Sequence, residues 1–209
     1  MANLITLSRL ILLFVVIFFA YQPASWWYLA NVALLILIFV SDWLDGYVAR
    51  KRNETSVFGA MFDIAVDRII ELVLWIAYLP LDLVPLWAPL VFVVRGSIVD
   101  AIRAHQASAH NKAPFEMLRH PLAKWLVAGR FMRGFYAAIK GIVFCWLLLI
   151  HPLHELLPEF WAQWGVILRQ VADILIWITV FLCVARGLPV IIEFMAAPDL
   201  EPAAGDGSE

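Results

Sequence analysis

The sequence predicts an all-α integral membrane protein with six transmembrane helices, both termini in the cytoplasm and a short interfacial element at the N-terminus. Three observations carry this expectation. Of 209 residues, 64% are hydrophobic and 15% charged, with a mean hydropathy of +0.86, more apolar side chain than a soluble domain of this size needs for its core. The apolar residues gather in six stretches, about 5–21, 30–49, 57–80, 84–104, 123–150 and 163–194, each able to span or nearly span a bilayer as a helix. Lys and Arg alternate in the connections, present in every second one. Helices are the only choice here, because an open sheet leaves its edge groups unpaired in lipid.

The first stretch has a single Arg ahead of a run of apolar residues and small residues near Ala24, the outline of a cleavable signal peptide. Removing it leaves an odd number of spans and spoils the charge alternation, so it is read as the first span. The connection Tyr21 to Ala30 has no Lys or Arg, whereas the second stretch ends on Arg50, Lys51 and Arg52. The third stretch leads to Leu79–Pro89, again without a basic residue, and the fourth to Arg103, Lys112, Arg119 and Lys124. After the fifth, His151 to Trp164 is once more free of Lys and Arg. The positive-inside rule puts the basic connections and both termini in the cytoplasm. Trp26, Trp27, Trp87, Trp161 and Trp164 form the outer aromatic belt, and Arg169, near the outer end of the last helix, is the exception to the charge pattern. Residues 1–195 make one membrane domain, and the acidic, Pro- and Gly-rich segment 196–209 reads as a disordered tail. Cys145 and Cys183 fall within spans and read as inert buried thiols. The net charge of −2 says little by itself, and nothing points to a nucleic-acid partner.

Four carboxylates interrupt the second and third spans. Asp42 and Asp45 are three residues apart, Asp63 and Asp67 four, so each pair occupies one helix face. An intramembrane acid costs roughly 2.5–3.5 kcal/mol even on a lenient insertion scale, which calls for a compensating partner. With Arg50 to Ser56 as the connector of two antiparallel helices, Asp42 falls opposite Asp67 and Asp45 opposite Asp63. At a rise of ~1.5 Å per residue, Asp42 lies about 12 Å before Arg50 and Asp67 about 16 Å beyond Ser56, just inside the hydrocarbon. A divalent cation is the expected partner, since hard cations prefer oxygen ligands. The plainer alternative is pairing with Arg50, Lys51, Arg52 and Arg68 at a wet helix end. Gly46 and Gly59 favour a ligand, because a phosphate or nucleotide that approaches a helix backbone needs positions without a Cβ. Ala49 is small for a related reason, and Arg50 offers a planar fork of donors for a phosphate.

Together the residues read Asp42-x2-Asp45-Gly46-x2-Ala49-Arg50-x8-Gly59-x3-Asp63-x3-Asp67. This resembles the signature of the CDP-alcohol phosphotransferase (CDP-alcohol phosphatidyltransferase) family at all eight fixed positions, and the six spans and chain length fit that family over about residues 3–195. The resemblance implies transfer of a phosphoryl-linked group from a CDP-linked donor to an alcohol with release of CMP. It implies a two-metal site of Mg2+, with Mn2+ as a substitute, held by Asp42, Asp45, Asp63 and Asp67. Gly46, Ala49, Arg50 and Gly59 would bind the cytidine diphosphate, and Asp67 would act as general base. A homodimer is implied as well.

The opening Asn3-x2-Thr6-x2-Arg9 resembles the start of the phosphatidylglycerophosphate synthases, a bacterial branch of the family, and brings Thr6 into the CDP-binding set. Arg95 and Arg103, with seven residues between them in the fourth span, and Lys124, Gly129, Arg130 and Arg133 at the entry to the fifth also resemble that branch, although Gly96 and arginines stand where the branch carries an acid and lysines. The implied reaction is transfer of the phosphatidyl group from CDP-diacylglycerol to glycerol 3-phosphate at the cytoplasmic side of the inner (cytoplasmic) membrane, among its lipids. Independently of the resemblance, an acceptor with its own phosphate needs a cationic pocket, and Arg95, Arg103, Lys124, Arg130 and Arg133 supply one. Anchoring on anionic lipid is the alternative for those near the surface. Glu71 is expected to pair with a cation such as Arg95; Lys140 has no assigned role. His105, His110 and His120 lie in a cytoplasmic connection and His151 and His154 in an outer one, so they share no metal site, and His120 is expected to be solvated. An inositol phosphate acceptor is the nearest rival. A divalent-cation carrier is more distant, since the inverted repeats and broken helices of such proteins are missing. A noncatalytic scaffold would not need an intact motif.

Overall fold

The structure is a computed structural model that describes residues 2–23, 25–52, 57–110, 125–127 and 129–196. Lys124, His120 and the tail expected from 197 onward lie outside the described residues. So do the side chains of Asp45, Gly46, Ala49, Arg50, Arg103 and Arg130, whose backbones are helical.

The described residues form helices and no strands: α1 (Ala2–Ala20), α2 (Tyr28–Arg52), α3 (Val57–Ala77), α4 (Trp87–His110), α5 (Arg130–Ile150), the single turn α6 (Leu153–Leu156) and α7 (Pro158–Ala196). Each of the six expected stretches thus contains a long helix, and in the fifth that helix begins only after the extended Gly129. The segments Phe131–Leu156 and Pro158–Ala196, 26 and 39 residues long, are apolar enough to cross a membrane, and Thr6–Ala20 and Tyr28–Asp42 are shorter apolar stretches. The helices α3 and α4 fall below that standard of apolarity because they carry Asp63, Asp67, Arg68 and Glu71, and Arg95, Asp100 and Arg103. Large apolar side chains face outward on all the long helices, among them Phe14, Leu37, Ile64, Val94, Phe131 and Phe181. Such continuous apolar surface suits lipid rather than water, and the protein is membrane-associated.

The interfacial N-terminal element is not a separate piece: Ala2–Ala20 is one helix. Thr6, Arg9, Leu13, Val16 and Ala20 are all buried, while Leu7, Ile11, Phe14 and Phe18 are exposed. Steps of three and four residues put the first set on one face, and that face packs on α2 and α3. Thr6 and Arg9 thus continue the core stripe of α1.

The turn after α1 is tied by side chains. A helix end leaves carbonyls without intrahelical partners. The Tyr28 hydroxyl shares its single proton between Ala20 O at 3.0 Å and Gln22 O at 2.8 Å, and Asn31 Nδ2 donates to Val16 O at 3.0 Å. Tyr21 donates from its hydroxyl to Ala77 O at 2.6 Å, linking the same turn to the end of α3.

Aromatic residues fill the centre. Trp75 on α3 stacks on Phe92 of α4 with centroids 4.8 Å apart and meets Phe144 of α5 edge-on at 5.0 Å. Tyr78 is buried and donates its hydroxyl to Phe144 O at 3.1 Å. The other half of the molecule is organised by α7, which packs along α4, α5 and α6. Buried Arg186 on α7 donates to Met132 O at 2.6 Å and Val127 O at 3.3 Å, and its guanidinium lies 5.0 Å from the Tyr136 ring centre. It fastens the entry of α5 to α7.

A charged layer crosses the core. Glu71, 6% exposed, pairs with Lys140 Nζ at 3.0 Å and Arg68 Nη1 at 3.4 Å. Its partner is therefore not Arg95, because Lys140 reaches it from α5 while Arg68, one turn earlier on its own helix, covers the other flank. Lys140, unassigned from the sequence, also lies 4.6 Å from the Tyr136 ring centre. Arg68 bridges onward to Asp100 at 3.3 Å.

Two outcomes follow for stability. Tyr28→Phe removes this shared donor at a buried turn and is expected to destabilise by about 1–3 kcal/mol, read as a lower midpoint of thermal unfolding in detergent. Lys140→Met leaves Glu71 only its longer contact with Arg68 and is expected to cost about 1–3 kcal/mol, most of it recovered when Glu71→Leu is added; an equal loss in the double variant contradicts the pairing.

Candidate active site

Asp42 lies ten residues before the end of α2, and Asp63 and Asp67 are the seventh and eleventh residues of α3, so the acids occupy the parts of the two helices toward residues 53–56. Asp42, Asp63 and Asp67 each place a carboxylate oxygen within 4.8 Å of the others. Ionised oxygens this close repel one another by on the order of 3 kcal/mol per pair at an effective dielectric of ~20, before solvent screening. Positive charge placed among them relieves that repulsion.

Arg9 provides part of that charge. Its Nη1 lies 2.7 Å from Asp42 Oδ1 and 3.4 Å from Asp63 Oδ1, and its Nη2 is 2.7 Å from Asp67 Oδ1. The Arg9 side chain is 3% exposed, whereas those of Asp42, Asp63 and Asp67 are 36%, 44% and 47% exposed. One guanidinium thus forms the floor and the carboxylates open outward. One positive charge against three negative leaves the group two charges short of neutral, the amount a single divalent cation supplies. The donor set fits such an ion: all oxygen, no thiolate or imidazole, from two helices held at fixed separation. The fourth expected ligand, Asp45, is one turn beyond Asp42 on α2.

Of the expected CDP-binding residues, Thr6 is buried three residues before Arg9 on the same face of α1. Gly59 is half-buried in the first turn of α3, one turn ahead of Asp63.

The expected acceptor residues do not share one environment. Arg133 is exposed near the start of α5. Arg95 is central in α4 and packs on α7 at Gly187, where a Cβ would meet Arg95 Cγ and Nε at 2.7 Å. Its Nε is buried and has no hydrogen-bond partner among the described residues. Beside it runs an apolar groove of about 330 Å³ between α4 and α7, lined by Val94, Ile98, Val184 and Leu188.

Sequence reasoning missed Arg9 as the partner of the acids and Arg186 as a clamp. The three-and-four spacing of Thr6, Arg9, Leu13, Val16 and Ala20 is the signal that turns Arg9 inward. For Arg186 the only signal is its place in a span, where a cation defaults to being paired or functional. Arg169 lines a cleft of about 630 Å³ at the other end of the molecule with Asp82, His151, His154, Glu155 and Asp173.

A family model described as CDP-alcohol phosphatidyltransferase matches residues 1–185. The chain is similar to a CDP-diacylglycerol–glycerol-3-phosphate 3-phosphatidyltransferase of Bacillus subtilis, 26% identical over 197 residues that cover 88% of this chain and 90% of the relative. The protein of the same description from Pseudomonas fluorescens is 32% identical over 115 residues, 54% of this chain and 58% of the relative. That from Wigglesworthia glossinidia brevipalpis is 34% identical over 108 residues, 49% and 58% of the two lengths. The match thus spans less than two thirds of the Pseudomonas and Wigglesworthia relatives and nine tenths of the Bacillus one. Because the family match runs from the first residue through the acid-bearing hairpin and into α7, the chain belongs to the CDP-alcohol phosphatidyltransferase family.

Proposed function

We propose that the protein is a metal-dependent phosphatidyltransferase of phospholipid synthesis, transferring the phosphatidyl group from CDP-diacylglycerol to glycerol 3-phosphate with release of CMP. The observation that carries this is the convergence of Asp42, Asp63 and Asp67 within 4.8 Å in a family whose members move phosphatidyl groups. The names of the Bacillus, Pseudomonas and Wigglesworthia relatives support the choice of acceptor. Asp42, Asp45, Asp63 and Asp67 hold two Mg2+ ions in this reading, with Mn2+ as a substitute. When bound, the ions neutralise the diphosphate and the charge that develops on the departing CMP.

The chain's own groups do the rest. Thr6, Gly46, Ala49, Arg50 and Gly59 take the cytidine diphosphate, the glycines by admitting it close to the backbone. Asp67 accepts the proton of the acceptor hydroxyl. That oxygen attacks the phosphorus bearing the diacylglycerol, a new P–O bond forms, and the bond to CMP breaks. Arg95, Arg103, Lys124, Arg130 and Arg133 receive the acceptor's own phosphate, which a serine or choline acceptor would not require.

The setting is a six-span protein of the inner membrane, a homodimer with both termini and the acids on the cytoplasmic side. The basic connections of the sequence support this orientation. A two-tailed donor also needs a lipid-facing entrance, which the apolar outward faces supply.

Asp67→Asn is expected to lower CMP release by about 10³-fold or more, since it removes both a proton acceptor and a metal ligand, with the unfolding midpoint retained; near-normal turnover sinks the assignment. Chelation with EDTA is expected to abolish activity, and Mg2+ or Mn2+ to restore it. The acceptor is settled by supplying labelled CDP-diacylglycerol with glycerol 3-phosphate, inositol phosphate or serine in turn. Glycerol 3-phosphate is expected to give the product, and a lipid formed only with inositol phosphate rejects the acceptor while keeping the chemistry.

A further inference from the structure

Arg9 and a divalent cation make claims on the same oxygens. The guanidinium spans the gap between α2 and α3, with Asp42 and Asp67 both at 2.7 Å and Asp63 at 3.4 Å. Its third donor, Nε, is buried and has no hydrogen-bond partner among the described residues, so the carboxylates hold the fork. A hard divalent cation such as Mg2+ needs its oxygens at about 2.0–2.1 Å. Oxygens drawn in to that distance turn their lone pairs from the guanidinium and bring a double positive charge against it. Metal and Arg9 therefore oppose each other, and either the carboxylates rotate or the guanidinium leaves.

A diphosphate offers the guanidinium an alternative. Planar, paired donors match phosphate oxygens as well as they match carboxylates. Thr6, one turn before Arg9 on the same buried face, is already among the residues proposed for the cytidine diphosphate, so the phosphates would come to the same end of α1. We infer that Arg9 is a tethered counter-cation that competes with the metal for Asp42, Asp63 and Asp67, and that the donor's diphosphate relieves the competition by taking the guanidinium. Arg9 is a positioning residue in this scheme. It keeps the metal weakly bound until the nucleotide arrives, and by reciprocity it makes the nucleotide weakly bound until the metal arrives. The inference rests on reading the acids as metal ligands.

The test uses the full chain in detergent, Mn2+ as the metal and CDP as the nucleotide, with free Mn2+ followed by electron paramagnetic resonance. Arg9→Gln is expected to bind Mn2+ alone about tenfold more tightly than the unaltered chain or better, the scale on which one charge a few ångströms away acts on another ionic equilibrium. CDP is expected to tighten Mn2+ binding strongly in the unaltered chain and several-fold less in Arg9→Gln. A residue that merely supports the site gives the opposite sign, because its loss loosens the carboxylates. Mn2+ affinity that is unchanged or weaker in Arg9→Gln, with its unfolding midpoint intact, overturns the inference and leaves the metal reading standing. Absence of Mn2+ binding in both proteins overturns the metal reading and the inference with it. If Arg9→Gln does not fold, Arg9→Lys decides: it keeps the charge without the fork, and a smaller CDP effect on Mn2+ affinity than in the unaltered chain is expected, an equal or larger one overturning the inference.

Discussion

Three carboxylates within 4.8 Å of one another would drive α2 and α3 apart if nothing stood between them, and the guanidinium of Arg9 stands there. It comes from α1, so the ion cluster fixes three helices at one end of the bundle. The opposite end of the same three helices is closed by neutral hydrogen bonds from Tyr21, Tyr28 and Asn31. Between the two ends the contact is apolar, through Leu13, Val16, Leu35 and Ile38. Helix α1 is thereby pinned at both ends, and its inward stripe has one register in which Arg9 meets the acids.

A second ionic layer does comparable work one turn deeper. Glu71 lies four residues beyond Asp67 and faces the same interior, yet it is bound to Lys140 and Arg68 and lies below the open side of the cluster. Burial separates the two groups. The upper carboxylates are more than a third exposed, open to a ligand, while Glu71 is enclosed and held to its partners. The deeper pair joins α3 to α5, and Arg186 joins α5 to α7, so charge links the two halves of the bundle where apolar packing alone would let them slide.

Much of this was legible in the sequence, for identifiable reasons. The mirrored spacing of Asp42 with Asp67 about a short polar connector puts the two acids at one level of an antiparallel pair, and their oxygens lie within 4.8 Å of each other. The six apolar stretches set the helices. What a single sequence does not carry is the partner chosen across helices. Arg9, Arg95 and Lys140 are each a cation on an apolar helix, and only packing decides that the first meets the acid cluster, the third meets Glu71, and Arg95 lodges against Gly187. The sequence reads His151 to Trp164 as one outer connection, whereas the short turn α6 and the first turns of α7 occupy it, the former with too little periodicity to be foreseen.

Pro189 and Gly187 give the last helix a consequence of its own. At ~1.5 Å per residue, the 39 residues of α7 extend over about 58 Å, against a hydrocarbon core of ~30 Å. A rod that long in so thin a slab must lean or project, and its lean follows the thickness of the surrounding bilayer. Pro189 withdraws one backbone hydrogen bond near the far end, giving the last turns a place to bend, and Gly187 beside it is where Arg95 enters. The place where Arg95 meets α7 thus lies two residues from the interruption in that helix's hydrogen-bond ladder, so a bend at Pro189 shifts the wall against which the Arg95 stem packs.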